Sequence, residues 1–171
     1  MAIDPQLQAA FNDQIALELD SAYTYLQMGA WCDGQELEGF STWMRAQWAE
    51  ESQHALRFID HVLDRDGDVV LQALGAPRAD FASPLEVMQT AHAHEQRVTA
   101  AIGALYGTAQ RANDYTSLPL LQWFLSEQIE EEASVRQIVA ELEMIGSDLS
   151  ALLLLDRELP GRRGGGSGGG G

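Results

Sequence analysis

The sequence predicts an all-α protein: a bundle of four long helices with a long connection in its middle and a short fifth helix at its C-terminal end. Three observations carry this. Apolar residues recur at helical spacing along four long segments, proline and glycine fall at the ends of those segments, and one connection (67–82) is far longer than the others. The first helix opens at Asp4-Pro5, a capping residue followed by proline at the first helical position, and runs to about Asp33, where Gly34 permits a stop. The second runs from about Phe40 to about Asp66, before Gly67. The third opens on Ser83-Pro84-Leu85-Glu86, a capping box with proline at its first position, and ends near Arg111. Asn113-Asp114 is a short break before a fourth helix from about Tyr115 to Ile145, in which Pro119 is tolerable only near the start. A fifth, about Asp148 to Leu159, ends at Pro160. The 67–82 segment is long enough to cross the bundle, so two helix hairpins are joined by one crossover. Residues 1–160 form one domain on this reading, and 161–171 are a glycine-rich linker-like tail.

Composition narrows the function. All ten basic residues are Arg, they face 26 acidic residues, and the formal charge is −16. Such a chain has little with which to displace counterions from phosphate, so nucleic acid is an unsuitable partner and cations are suitable ones. No apolar run reaches the roughly 18–20 residues of a membrane span, and the first residues lack the pattern of a signal peptide. A single cysteine, Cys32, rules out an intramolecular disulfide and is expected to be a buried, inert thiol. A cytoplasmic protein is expected.

The buried stripes carry the chemistry. They read Phe11, Ile15, Glu18, Ala22, Tyr25 on the first helix and Phe40, Met44, Gln47, Glu51, His54, Phe58 on the second. The third gives Met88, Ala91, Glu95, Val98, Ile102, and the fourth gives Leu121, Phe124, Gln128, Glu131, Val135, Ile138. Each stripe is interrupted midway by a carboxylate, which costs several kcal/mol unless it is compensated. With no Lys and the Arg residues elsewhere, a metal ion is the compensation that fits. Glu18 precedes Glu51 by 33 residues, as Glu95 precedes Gln128, and Glu51-x-x-His54 matches Gln128-x-x-Glu131 after a shift of 77. Glu50 maps onto Glu127 by the same shift. An i, i+3 pair shares a helix face, so each hairpin offers three ligands at one level of the bundle. Oxygen-rich ligation with one imidazole suits iron, and also manganese or zinc. Two metals would share a bridging carboxylate, here Glu51, and the asymmetry between His54 and Glu131 predicts two unequal sites.

These residues, with the run Ser126-Glu127-Gln128-Ile129-Glu130-Glu131-Glu132, make the chain over about residues 5–159 resemble the ferritin family, the bacterial non-haem ferritins in particular. The ferritin-like di-iron bundles are the known template for this carboxylate arrangement. The resemblance implies a ferroxidase centre, with Glu18, Glu51 and His54 holding one iron and Glu51, Glu95 and Glu131 a second. It places Gln128 near the oxidant and Tyr25 as an electron donor. Glu50, Glu127, Glu130 and Glu131 match a third iron site. The resemblance further implies Fe(II) as substrate, dioxygen or hydrogen peroxide as oxidant, and a hollow shell of 24 identical subunits that stores ferric oxyhydroxide. Bacterioferritins bind haem through a Met at the position of Ser52 and carry a second Glu-x-x-His pair where this chain has Gln128 and Glu131, so haem is not expected. The alternative on the same bundle is a di-iron redox enzyme, such as a peroxidase, that stores nothing.

Overall fold

A computed structural model describes residues 3–162. Its elements are α1 (Pro5–Gly34), α2 (Glu38–Leu63), α3 (Pro84–Arg111), α4 (Leu118–Ile145) and α5 (Leu149–Glu158), followed by a 3₁₀ turn over Leu159–Gly161. The all-α bundle with a crossover and a short fifth helix stands as expected. The tail residues 163–171 lie outside the described residues.

The start signals act as the sequence indicates. The Asp4 carboxylate accepts hydrogen bonds from the backbone N–H groups of Gln6 (2.9 Å) and Leu7 (3.2 Å). Ser83 Oγ accepts from the Glu86 N–H at 3.2 Å, while the Glu86 carboxylate reaches back one residue further than a strict capping box, to the Ala82 N–H at 2.6 Å. The stops differ in detail. α1 runs through Gly34, and the left-handed residue that reverses the chain is Glu36 (φ 59°). α2 ends at Leu63, three residues before the expected stop, and Asp66 (φ 56°) makes the turn beside Gly67. α4 starts at Leu118 rather than Tyr115, because Asp114 and Ser117 build a turn of their own there.

α1 pairs with α2 and α3 with α4 as hairpins, and α1 packs against α3. The α2 and α4 faces meet through Phe58 and Phe124, whose rings stack at 4.0 Å between centroids. The crossover starts against the N-terminal half of α1. There Asn12 receives the Val70 N–H (2.8 Å) and donates to the Asp68 carbonyl (3.0 Å). It finishes at the other end of α1, where Phe81 lies edge-on to Trp31. It therefore travels the length of the bundle, as its length predicts.

The apolar interior is in two parts. One cluster centres on Phe11, Ile15, Phe58, Ile102 and Phe124, the other on Tyr25, Met28, Phe40, Met44 and Met88. Between them lies a level of buried polar side chains: Glu18, Gln47, Glu51, His54, Glu95, Gln128 and Glu131. Every residue of the four expected stripes is buried.

Candidate metal centre

Four helices each bring one carboxylate to the same level, and all four are at least 99% buried: Glu18 from α1, Glu51 from α2, Glu95 from α3 and Glu131 from α4. The helical register explains this directly. Each carboxylate replaces one apolar residue in a stripe that packing has already turned inward.

The oxygens of these groups are divided in a telling way. Gln14 Nε2 donates to Glu18 Oε1 at 2.7 Å, leaving Glu18 Oε2 with no partner. Gln47 Nε2 donates to Glu131 Oε2 at 3.0 Å, leaving Glu131 Oε1 with none. Neither Glu51 oxygen accepts a hydrogen bond from an N–H or hydroxyl group, its one such neighbour being the Glu18 carboxyl, and His54 Nδ1, 3.4 Å from Glu51 Oε2, has no hydrogen-bond partner. Glu95 is held at both oxygens, by the Tyr25 hydroxyl (2.5 Å) and by Gln128 Nε2 (3.1 Å). Neutral donors thus orient the carboxylates without neutralising them. Buried polar atoms are almost always paired, and an orphan costs about 1–3 kcal/mol. A cluster of orphans aimed at one another is a site built for something that supplies charge.

Electrostatics agree. Burial, reinforced by the Glu51 charge, holds the Glu18 carboxyl well above the usual carboxylate range. Burial and then Glu95 do the same for Glu51, and burial followed by Glu50 and Glu95 for Glu131. Burial raises Glu95 too, against the lowering effect of the Tyr25 and Gln128 hydrogen bonds. Burial, then the Glu95 charge, raises the Tyr25 hydroxyl. Like charges crowded in a low dielectric are the ordinary reason for such shifts, and a divalent cation reverses them.

Two groups of side chains have the proximity that metal binding needs. Glu18, Glu51 and His54 offer ligand atoms within 4.8 Å of one another, and so do Glu50, His54 and Glu127. The first is the inner site expected from the sequence. The second takes in Glu50 and Glu127 of the expected third site but joins them to His54; Glu130 is exposed and stands outside this group. Glu95 and Glu131 share the level of the inner group without belonging to that close set. Gln14 and the bond from Gln47 to Glu131 were not foreseen. The signal available was spacing, since each Gln lies four residues before a site glutamate on its own helix.

His94, His61 and Cys32 stand outside these two groups. His94 is buried between Ser21 Oγ and the Arg97 guanidinium, each 2.5 Å from a ring nitrogen. Arg97 can only donate, so Nδ1 accepts and Nε2–H donates to Ser21. Burial and the Arg97 charge lower this imidazole to about 4. His61 bonds Ser117 Oγ at 2.8 Å at the end of the bundle. Cys32 is fully buried, and burial pushes its thiol up to about 12.

Fold and site together define a class: a four-helix bundle with a carboxylate-rich candidate metal centre in its core. The Ferritin family model, described as a ferritin-like domain, matches residues 8–145, and the chain belongs to the ferritin family. It is 36% identical over 157 residues to a bacterial non-heme ferritin of Staphylococcus aureus, covering 92% of this chain and 95% of that one. It is 36% identical over 148 residues to a probable bacterial non-heme ferritin-like protein of Haemophilus influenzae, covering 86% and 90% of the two chains. Among solved structures, an open-pore ferritin from the hyperthermophilic archaeon Archaeoglobus fulgidus superposes with a TM-score of 0.92 at 43% identity, over 94% of this chain and 98% of that one. A form of Archaeoglobus fulgidus ferritin engineered to be closed superposes equally well, with a TM-score of 0.92 at 42% identity over 95% and 99%.

Proposed function

We propose that this chain is the subunit of an iron-storing ferritin that oxidises Fe(II) at the centre formed by Glu18, Glu51, His54, Glu95 and Glu131. The observation that carries this reading is the set of unpartnered oxygens on Glu18, Glu51 and Glu131, buried together with no Lys or Arg among them. Two Fe(II) ions supply the missing positive charge. Glu18, Glu51 and His54 hold one, and Glu51, Glu95 and Glu131 the other. Gln14 and Gln47 keep Glu18 and Glu131 turned so that one oxygen of each is free. Two Fe(II) release two electrons together, the number that reduces dioxygen to peroxide or peroxide to water. Tyr25 and Gln128 are the side chains proposed to donate a further electron to the oxidant and to border it, and their hydrogen bonds to the two oxygens of Glu95 support this reading. Hard carboxylate oxygens bind Fe(III) more strongly than Fe(II), which favours oxidation. Glu50 and Glu127, with Glu130 nearer solvent, supply a third position on the path out. The product is stored as ferric oxyhydroxide within a 24-subunit shell in the cytoplasm. Ser52 offers no haem ligand.

The test is iron loading. Size-fractionated protein takes up Fe(II) without air, is then exposed to air, and the retained iron is counted. Hundreds of irons per assembly are expected. Retention that stops at about two or three per subunit would replace storage with a di-iron redox enzyme. Glu51→Ala and His54→Ala should each slow the fast oxidation phase at least tenfold while assembly persists, and unchanged rates would sink the site assignment.

A further inference from the structure

The outer group, Glu50, His54 and Glu127, borders a surface cleft of about 320 Å³ that contains one positive side chain, Arg57. Arg57 follows His54 by one helical turn and Glu50 by two, so the three share a face of α2. Its guanidinium lies over the indole of Trp123, 4.0 Å from the ring centroid, and Trp123 is itself edge-on to His54 at 5.7 Å.

Arg57 differs from the arginines of this chain that have carboxylates beside them. Arg45, Arg65, Arg78 and Arg162 each form an ion pair with a carboxylate. Arg57 pairs with none, although Glu50 and Glu127 line the same cleft and Glu127 Oε2 is buried without a partner. Stacking on Trp123 competes with such pairing and holds the guanidinium over the indole. The outer group is more than an acidic cluster. His54 is only 3% exposed and belongs to both groups, its unpartnered Nδ1 lies 3.4 Å from Glu51 Oε2 of the inner one, and in the outer one Glu127 Oε2 is buried without a partner.

We propose that Arg57 is a specificity-determining residue that keeps the outer group a weak, rapidly releasing cation position. Parked on Trp123, it leaves both carboxylates open to an arriving divalent ion. Its charge, in the same cleft, repels that ion and prevents the outer group from trapping what the inner one must receive or discharge. At this range, near solvent, the repulsion of a dication by one positive charge corresponds to about 3–10-fold in affinity. The proposal rests on the metal-centre reading above.

The experiment is titration with Zn(II), which is redox-inert, followed by calorimetry and by the fluorescence of Trp123, with the other three Trp changed to Phe. Arg57→Gln should tighten the outer class of sites about 3–10-fold and leave the inner class within about twofold. Arg57→Lys keeps the charge but loosens the planar stack on Trp123, so its outer affinity should lie nearer wild type than that of Arg57→Gln. The difference between Arg57→Gln and wild type should shrink as NaCl rises from about 50 to 500 mM. Glu127→Gln identifies the outer class by removing it. An outer affinity unchanged or weakened in Arg57→Gln, Arg57→Lys behaving like Arg57→Gln, or no outer class in wild type would each overturn the role of Arg57. Failure of the underlying reading is separate: it would appear as an inner class that survives Glu51→Gln.

Discussion

At the scale of single residues, the buried carboxylates trade stability for binding. Glu51 is 1% exposed, accepts no hydrogen bond from an N–H or hydroxyl group, and is held well above the usual carboxylate range by burial and by Glu95. A carboxyl raised in the fold stabilises the folded state fully below its unfolded value near 4.5. That contribution is lost as pH rises through the folded value. Glu18 and Glu131 act in the same sense, and Glu50, pushed up to about 7 chiefly by burial, loses its share around neutrality. His94, lowered to about 4, works the other way: its contribution is complete above the unfolded value and is lost as pH falls through the acid range. Metal-free protein should therefore be most stable in mild acid and lose stability between about pH 6 and 8. Denaturant titrations in chelator at several pH values read this directly. Glu51→Gln should raise the metal-free melting temperature at pH 7 by roughly 2–6 °C and flatten the decline. A lower melting point in that variant would contradict the electrostatic account. The glutamates themselves were legible from sequence because a charged residue in an apolar stripe is conspicuous. Gln14 and Gln47 were not, because a glutamine near a helix face is unremarkable until its partner, on its own helix or another, is known.

At the scale of elements, helix starts with a local cap were readable and the start of α2 was not. Leu37 stands at its N-cap position with no side-chain bond to give. The missing acceptor comes from α5: Asp156 Oδ1 receives the Phe40 N–H at 2.9 Å, from 116 residues away. No local pattern announces a cap supplied across such a distance. Gly39 makes the approach possible, since a Cβ there would sit 1.6 Å from the Asp156 carbonyl oxygen. Asp156→Ala should cost about 0.5–2 kcal/mol, the usual worth of a cap. Gly39→Ala should force α5 off α2 altogether. Limited proteolysis should then cut within or beside α5 while the helical signal of the four-helix bundle persists. Protection of α5 equal to wild type would show that the backbone can shift to accept the methyl. The left-handed turns at Glu36 and Asp66 were also opaque, since each lies at a non-glycine residue, whereas the break at Asn113-Asp114 was read. The end of α2 shifted by three residues for that reason and the start of α4 by three because of the Asp114–Ser117 turn, while both boundaries of α3 were met.

At the scale of the whole molecule, a net charge of −16 and a polar layer between two apolar clusters would make a divalent ion held in that layer part of the folding equilibrium. A ligand that binds only the folded state stabilises it by about 2.7 kcal/mol at a hundred times its dissociation constant. Melting temperature should rise with Zn(II) or anaerobic Fe(II), fall back on chelation, and respond weakly in Glu51→Gln. No helix among the described residues is long and apolar enough to cross a membrane. The pairing of hairpins was legible from the 77-residue repeat, and the crossover from its length. The anchoring of that crossover by Asn12 was not, because it depends on one amide meeting two backbone groups brought together only by folding. The thiol of Cys32 has a separate, practical consequence. It is buried and pushed up to about 12, and the chain contains no lysine, so at neutral pH the native side chains offer almost nothing to maleimides or activated esters. A Gly75→Cys substitution in the crossover, where a side chain meets open space, would give one maleimide-reactive point per chain.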